Sequence, residues 1–352
     1  MSGLHLKRTA ENAAEIDALA AALAADGGGR VGMEAVVHDL PRRLRRTWAP
    51  TPRLLGRKVT RAYTWEAHDR RDETWWPQGI TNSARTGLAD TLGRDVLATS
   101  WYAKDDAGSR VSIVDVERRR YGHVLLVTPT VTDGVAGLRP LRAHAGGIVW
   151  HGPYLHVAGT GQGFYSCRTE DVMRVPAGSA LETYGHRYVL PVRFAYRQRA
   201  DGEAASKLRF SFFTVDRSSD PPAMVVGEYG SASKSRRFGR FPIQTGSWLP
   251  LEDEEGYVRP DLDDRGLVRM QGISLVDGDY YVTSSHGPWT YGSVHVGRPG
   301  TFRAHRWATP MGPEDLLWWP ETGALWSVTE HPRRRWVFAM DLKGLDSRRR
   351  GR

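Results

Sequence analysis

Short segments in which apolar and polar residues alternate follow one another through most of the chain after residue 52. This alternation, interrupted by Gly, Pro and Asp, is typical of β-strands that bury one face of a sheet. In four places a polar residue, commonly followed by Gly, comes directly before an apolar strand. These strand starts are Pro77-Gln78-Gly79-Ile80-Thr81, Ala145-Gly146-Gly147-Ile148-Val149, Met270-Gln271-Gly272-Ile273-Ser274 and Pro313-Glu314-Asp315-Leu316-Leu317.

Each strand start leads to two further strands. The second strands are predicted at 96–101, 154–158, 280–284 and 324–329, and the third strands at 111–115, 163–168, 292–296 and 336–341. A fifth unit without the Gly start is predicted at 192–243, with strands at 192–196, 208–215, 224–229 and 237–243. Units of this length, repeated along a chain, predict an all-β fold: a single β-propeller of about five blades.

An unpaired strand at 58–64 precedes the first unit, and the last unit has only three clear strands. The strand at 58–64 is therefore predicted to complete the last blade, which closes the ring and removes exposed sheet edges.

The N-terminal part has a different pattern. Apolar positions at helical spacing predict an amphipathic helix at 9–25 that ends at Gly27 to Gly29, and a second short helix at 33–46. Pro50 and Pro52 break this pattern. The predicted organisation is a short helical N-terminal extension (1–52), the propeller (53–345) and a basic disordered tail (346–352).

Composition adds few constraints. The 352 residues are 40% hydrophobic and include 13 Trp, enough for a large core. Cys167 is the single cysteine, so no intramolecular disulfide can form, and a packing role is the simplest interpretation.

Acidic residues interrupt the N-terminal segment that would have to be apolar in a signal peptide, and no apolar stretch is long enough to span a membrane. A cytoplasmic location and no membrane partner are expected.

The formal net charge of +9 is concentrated in short runs such as Arg333-Arg334-Arg335. Positive charge favours anionic partners in general. Runs of this kind are more commonly solvated turns, so the charge does not favour nucleic acid as a partner.

The order of several motifs resembles a family of actinobacterial proteins usually labelled secreted or hypothetical. The segments that carry the resemblance, between about 54 and 341, include Trp76 to Thr81, Val111 to Asp115, Tyr121 to Val127, His144 to Ile148, Val226 to Gly230, Met270 to Gly272, Gly312 to Leu316 and Leu325 to Glu330. The resemblance implies a propeller-like fold and carries no activity. Because a helical segment stands where those proteins have an export signal, we expect an intracellular member with a different task, such as a step of specialised metabolism.

In a propeller, the starts of the inner strands and the loops between second and third strands meet on one face. The sequence therefore predicts a central funnel with an aromatic wall and converging polar groups. The candidate acid/base residues are His144, His286, Glu314, His331 and Glu330. The candidate substrate-binding residues are Gln78, Trp76, Trp101, Tyr102, Gln271, Trp289, Tyr291 and Asp315. The alternative for each of them is structural, since polar residues at strand starts often satisfy backbone groups.

No cofactor is predicted, because the chain has no dinucleotide-binding or phosphate-binding loop and no zinc-ligand spacing. Calcium is an open alternative, since Glu314, Asp315, Gln78 and Gln271 offer oxygen ligands.

The sequence predicts two alternative functions. The first is a small-molecule enzyme without a redox cofactor, whether a lyase, cyclase, isomerase or hydrolase. The second is a non-catalytic binding or scaffold propeller for a peptide, glycan or other anionic partner. The sequence does not predict the oligomeric state.

Overall fold

The strands of the described residues form five sheets. We number them I to V in the chain order of the strand that is named first for each sheet below. The computed structural model describes residues 3–47, 55–201 and 206–345. Sheet I contains Trp75–Asn82, Leu97–Ala103, Ser109–Asp115, Arg120–Thr132, Val135–Pro140, Tyr188–Pro191, Met173–Arg174, Gly29–Arg30 and Arg42–Arg43. Sheet II contains Ile148–His151, Tyr154–Ala158, Gly163–Arg168, Phe194–Ala200, Leu4–Arg8 and Tyr257–Val258.

The other three sheets have four or five strands each. Sheet III contains Phe212–Asp216, Ala223–Gly227, Phe238–Pro242 and Asp261–Asp263; sheet IV contains Met270–Val276, Asp279–Ser284, Tyr291–Gly297 and Arg303–Met311. Sheet V contains Pro313–Trp319, Ala324–Thr329, Trp336–Asp341, Val59–Thr64 and Arg45–Arg46. The α-helices are Ala13–Ala25, Gly32–His38, Ala67–Arg71 and Ala89–Leu92, and 3-10 turns lie at Thr169–Asp171, Pro320–Thr322 and Leu342–Gly344.

The strand named first for each sheet lies at the centre of the molecule, and we call it the inner strand. The inner strand of sheet I contacts that of sheet II, and the contacts continue through sheets III, IV and V back to sheet I. The strands thus form a closed ring around an axis. The predicted all-β, propeller-like architecture is confirmed.

The predicted closing strand is also confirmed. Val59–Thr64 pairs antiparallel with Trp336–Asp341, so that Thr64 lies opposite Trp336. A strand from before the first sheet therefore completes the last one, and the two ends of the ring are joined by backbone hydrogen bonds.

The prediction for the unit at 192–243 was wrong at its start. Phe194–Ala200 pairs with Gly163–Arg168 and with Leu4–Arg8, so it belongs to sheet II. Sheet III begins at Phe212. The alternating pattern identified a strand correctly, but a pattern of burial does not specify which neighbour the strand pairs with.

The N-terminal residues contribute strands as well as helices. The first predicted helix is present as Ala13–Ala25, but the second ends at His38, and Arg42–Arg43 and Arg45–Arg46 are strands. Leu4–Arg8 also joins sheet II, so the N-terminal segment pairs with the sheets through its strands in addition to forming the two helices. The predicted boundary near 52 and the predicted tail at 346–352 lie outside the described residues.

Other sequence expectations concern burial. Cys167 is fully buried among apolar side chains, and burial raises the pKa of its thiol, as expected of a packing residue. Within the described ranges, no helix is long and apolar enough to cross a bilayer.

The strand starts contain glycine because the inner strands lie close together at the axis. The pairing of inner and second strands shifts register between Pro77 and Ile80, between Met270 and Gly272, and between Pro313 and Leu316. Such β-bulges turn side chains away from the regular alternation. They direct the polar side chains at the strand starts toward the axis.

Substituting Gly272 by Ala should test this crowding. A Cβ at Gly272 would lie 2.5 Å from the backbone of Asp315, so the two inner strands would have to separate. We expect Gly272→Ala to lower the free energy of unfolding by about 1–3 kcal/mol in urea denaturation. Gly161→Ala is the control, because a Cβ there meets nothing within 4 Å. Equal stability of the two variants would contradict close packing at the axis.

Candidate functional site

A funnel opens where the inner strands begin. It has a volume of about 360 Å³ and is bounded by bulged strand starts and neighbouring loops. Its lining comprises Gln78, His144, Thr160, Arg209, Ser211, Tyr229, Ser231, Lys234, Gln271, Glu314 and Glu330. Five residues proposed from the sequence therefore meet here: Gln78, His144, Gln271, Glu314 and Glu330.

Glu314 and Glu330 form a carboxyl pair at the bottom of the funnel. The side-chain Nε2 of Gln271 donates a hydrogen bond of 3.0 Å to Glu314 Oε1. Burial raises the pKa of Glu314 well above 4.5, and the neighbouring charges of Glu330 and Asp315 raise it further. Glu314 is therefore the carboxyl of the pair that holds a proton most strongly.

Glu330 is easier to ionise than Glu314. Burial raises its pKa, but the amide of Gln78 and the positive charges of Lys104 and Arg335 act in the opposite direction. The Nε2 of Gln78 lies 3.4 Å from Glu330 Oε2. Two interacting carboxyls with different surroundings separate into one proton donor and one proton acceptor.

Asp315 lies below this pair and was wrongly predicted to bind substrate. Its side chain is fully buried. Its Oδ1 accepts the backbone N–H of Leu316 at 2.9 Å, and its Oδ2 lies 3.5 Å from the N of Ile80. Burial raises the pKa of Asp315, and hydrogen bonds from the backbone of Leu316, Ile80, Ile148 and Ile273 oppose this rise. The role of Asp315 is to hold strands together.

His144 lines the funnel, and Tyr102 packs against it without lining the funnel itself. Their ring centroids are 4.3 Å apart. Burial raises the pKa of the Tyr102 hydroxyl, and the charges of Glu330 and Glu314 add to this rise. Partial removal from water lowers the pKa of His144, although the residue remains accessible at the mouth. Both groups are therefore neutral at pH 7.

His331 lies beside Glu330 rather than across the funnel. Its Nε2 is 3.7 Å from Glu330 Oε1, and its ring packs edge-on against Trp76. Burial, with the charges of Arg334, Arg335 and Lys104, lowers its pKa to about 4. Burial first, and the surrounding cations second, thus favour the uncharged form of this histidine, so a proton-transfer role near neutral pH stays a prediction.

His286 does not line the funnel. Its Nε2 lies 2.9 Å from Ser293 Oγ, and its ring is exposed. Burial of part of the ring and the charges of Arg269 and Arg306 lower its pKa. Tyr291 is half-buried at the start of its strand, opposite Met311, and does not line the funnel either.

The predicted aromatic wall forms only in part. Trp101 is fully buried, with its ring edge-on to Trp65, so the prediction that it contacts substrate was wrong. Trp76 is half-buried and carries Lys104 Nζ 3.2 Å from its ring centroid. Trp289 is 79% exposed and lies under the guanidinium of Arg334. None of these three tryptophans lines the funnel.

Some lining residues were missed by sequence reasoning. Arg209, Ser211, Tyr229 and Lys234 come from the strand start and loops of sheet III. The side chain of Arg209 is held by the carbonyl oxygens of Tyr229 and Ser235. The missed signal was the sequence Arg209-Phe210-Ser211 before the true inner strand, which the wrong start at 192 obscured.

A buried polar cluster behind the funnel was also missed. Asp69 is fully buried and accepts hydrogen bonds from Arg110 at 3.0 Å and from the Tyr121 hydroxyl at 2.6 Å. Burial raises its pKa, but His123, Arg110 and Tyr121 together hold it well below the usual range. In the sequence, Arg110 and Ser112 alternate with apolar residues. This pattern could have indicated that the strand has a buried face made of polar residues.

Arg335 connects this cluster to the carboxyl pair. It is fully buried, with Nε donating to the carbonyl of Glu330 and one terminal nitrogen donating to the carbonyl of Asp69. The run Arg333-Arg334-Arg335 is therefore not a uniformly solvated turn. Arg335 positions the strand end that carries Glu330.

The residues proposed for calcium do not fit that ion. No group of three or more His, Cys, Asp or Glu side chains in residues 3–47, 55–201 and 206–345 is arranged to hold a metal. The Asp315 oxygens face backbone N–H groups, and Gln78 and Gln271 turn their amide nitrogens toward Glu330 and Glu314.

Comparison with known proteins gives only low similarity. No family model and no curated protein matches the chain. A gluconolactonase from Xanthomonas campestris is similar over 85% of each chain, with 13% identity and a TM-score of 0.38. A Bacteroides thetaiotaomicron protein of unknown function has 11% identity over 76% of this chain and 70% of that one, with a TM-score of 0.35. Drosophila Plexin A, in complex with Semaphorin 1b, has 9% identity over 90% and 86%, with a TM-score of 0.26. Similarities at these scores do not indicate a shared function.

The raised pKa of Glu314 predicts how stability depends on pH. The unfolded chain releases this proton near pH 4.5, whereas the folded protein keeps it to higher pH. The wild type therefore loses stability as pH rises from about 4.5 toward the folded pKa. Glu314→Gln removes this loss, so its free energy of unfolding should rise relative to wild type between pH 4.5 and pH 8.

Urea denaturation at several pH values measures this difference. Glu117→Gln is the control, since Glu117 is an exposed glutamate. A constant difference between Glu314→Gln and wild type across this range would show that Glu314 does not hold its proton in the folded state.

Proposed function

We propose that the protein is a small-molecule enzyme without a redox cofactor, a hydrolase that works by acid/base chemistry in the axial funnel. The observation that carries this proposal is the carboxyl pair. Glu314 has a strongly raised pKa, and Glu330 is partly stabilised as an anion by Gln78, Lys104 and Arg335. One proton donor next to one proton acceptor is what general acid/base catalysis requires. We further infer that each of the five sheets acts as one blade of the propeller.

The polar lining supports hydrolysis over the other reaction classes considered. Ser211, Ser231, Lys234 and Arg209 surround the mouth, and the site is open to water. A cyclase or lyase commonly excludes water from a reactive intermediate, which an open polar funnel does not do. A hydrolase needs water beside the reacting bond.

The reaction follows from the two carboxyls. Ionised Glu330 takes a proton from water as the water oxygen bonds to the acyl carbon of an ester. Protonated Glu314 gives its proton to the leaving oxygen as the acyl C–O bond breaks. The proton on Glu330 then returns to Glu314 through the hydrogen bond between the two side chains. His144, which is neutral, binds the substrate beside the pair, and Tyr102 packs against its ring.

Substitution of Glu330 by Gln should abolish turnover without unfolding the protein. General acid/base groups contribute about 10²–10⁴-fold to rate, so we expect a loss of at least about 100-fold in kcat for Glu330→Gln. Hydrolysis of a panel of 4-nitrophenyl esters and small lactones provides the measurement, and thermal unfolding checks the fold. Glu117→Gln should retain wild-type turnover. Failure of the wild type to hydrolyse any of the panel, or full activity in Glu330→Gln, would overturn the proposal.

The pH profile of kcat/KM identifies the groups involved. Activity should fall at low pH as Glu330 gains a proton and at high pH as Glu314 loses its proton, with both limbs above the usual 4.5 because both pKa values are raised. His331→Gln should keep both limbs, since His331 is uncharged above about pH 4. Loss of one limb in His331→Gln would assign that proton to the histidine instead.

A second candidate is a non-catalytic propeller that binds a peptide, glycan or other anionic partner. The exposed Trp289, with Arg334 4.3 Å from its ring centroid, favours it. In that case Arg334→Ala and Trp289→Ala would weaken binding with a steep salt dependence, and Glu330→Gln would not. Arg335 is unsuitable for this test because it is fully buried.

A further inference from the structure

The charged groups of the funnel enter it from two different sides. Glu314 and Glu330 are carried by sheet V, whereas Arg209 and Lys234 come from the strand start and a loop of sheet III. In the closed ring, sheet IV separates sheets III and V on one side, and sheets I and II separate them on the other. A substrate with one end at the carboxyl pair therefore has its other end beside the two cations.

Arg209 is held in place by uncharged acceptors. Its Nε and Nη2 donate to the carbonyl oxygen of Tyr229 at 3.3 and 3.2 Å, and Nη2 also donates to that of Ser235 at 2.7 Å. Carbonyl oxygens fix the orientation of a guanidinium but do not neutralise it. The other terminal nitrogen, Nη1, has no hydrogen bond to any residue that the structure describes. The half-buried guanidinium therefore keeps its charge and a donor for a ligand.

The carboxylate beside Arg209 is already paired with another arginine. Glu228 Oε1 accepts the backbone N–H of Arg209 at 3.0 Å. Arg237 donates to both oxygens of Glu228, from Nε at 3.1 Å and from Nη2 at 3.0 Å. In the ranges that the structure describes, neither Arg209 nor Lys234 forms an ion pair with a carboxylate. Because Arg237 neutralises Glu228, the charge of Arg209 is available to a ligand.

The net charge of the funnel lining favours an anion. Burial and neighbouring carboxyls keep the proton on Glu314, so Glu330 is the one ionised carboxylate among the described lining residues, against two cations. Ser211 and Ser231 line the side of sheet III as well, and their hydroxyl groups are further donors. Charges of one sign in a cleft raise the local concentration of ligands of the opposite sign.

We propose that the substrate of the funnel is an ester that carries a negatively charged group, which binds Arg209 Nη1 and the ammonium of Lys234. The carboxyl pair acts on the ester group at the other side of the axis. Arg209 is the principal contact because its guanidinium is fixed, and the exposed Lys234 adds long-range attraction. The inference rests on the proposed hydrolase function for the reaction, whereas binding of the negative group can be measured without turnover.

Two esters of equal length test this specificity. Mono-4-nitrophenyl adipate ends in a carboxylate, and 4-nitrophenyl hexanoate ends in a methyl group. We expect the wild type to hydrolyse the adipate monoester with a kcat/KM at least about tenfold higher than that of the hexanoate. Arg209→Gln should lower this ratio at least about tenfold, and Lys234→Gln about threefold, because exposed charge pairs are weaker.

A matched control and salt make the test selective. Arg139 is an exposed arginine that does not line the funnel, so Arg139→Gln should keep the wild-type ratio. Thermal unfolding verifies the fold of each variant. Raising NaCl from about 50 mM to about 500 mM should lower the wild-type ratio, since salt screens the charges at the mouth.

Equilibrium binding separates this inference from hydrolysis. Titration calorimetry uses full-length Glu330→Gln, with monomethyl adipate and methyl hexanoate as the ligands. We expect monomethyl adipate to bind at least about tenfold more tightly, and the additional substitution Arg209→Gln to remove this difference. If the wild type hydrolyses neither ester but this preference in binding is found, the hydrolase proposal fails and the anion-binding site stands.

Three results would each overturn the inference. They are equal kcat/KM values for the two esters in an active wild type, an unchanged ratio in folded Arg209→Gln, and equal binding of monomethyl adipate and methyl hexanoate. The first two leave the hydrolase proposal intact, since the neutral ester is still hydrolysed.

Discussion

The structure depends on one carboxyl at the axis, that of Asp315. It accepts backbone N–H groups of Leu316 in its own sheet, and of Ile80, Ile148 and Ile273 in sheets I, II and IV. Ile80, Ile273 and Leu316 lie next to register shifts, and Ile148 begins its strand. Leaving a buried N–H without an acceptor costs about 1–3 kcal/mol. A single side chain therefore satisfies backbone groups from four sheets at the point where they meet.

The position of the carboxyl pair follows from this arrangement. Because Asp315 turns into the axis, the adjacent Glu314 is directed into the funnel within the same β-bulge. Glu330 arrives from the far end of the second strand of sheet V, where Arg335 binds its carbonyl oxygen. Strand geometry and a buried arginine thus bring two carboxyls together, and their burial raises both pKa values.

The two ends of the inner strands differ in charge. The funnel has carboxyls at its base and cations at its mouth, whereas the cavity at the opposite end is lined by Arg85, Arg217 and apolar side chains. This difference arises because β-bulges expose polar side chains at the strand starts, while regular alternation returns toward the strand ends. One closed ring of strands consequently has cavities of different chemical character at its two ends.

Much of the fold and part of the funnel could be predicted from the sequence. Alternation of apolar and polar residues identified most strands, and the unpaired strand predicted at 58–64 indicated how the ring closes. The polar strand starts predicted that Gln78, Gln271, Glu314 and His144 would meet, because strand starts of a closed ring share one end.

Only the tertiary structure decided the rest. Contacts between residues far apart in the chain determine that Phe194–Ala200 pairs with sheet II and that Trp101 and Arg335 are buried. Such contacts also turn Asp315 away from the funnel. Alternation records that a strand has a buried face, but it does not record which strand lies beside it. The protonation of Glu314 likewise follows from the charges and burial that distant segments impose on it.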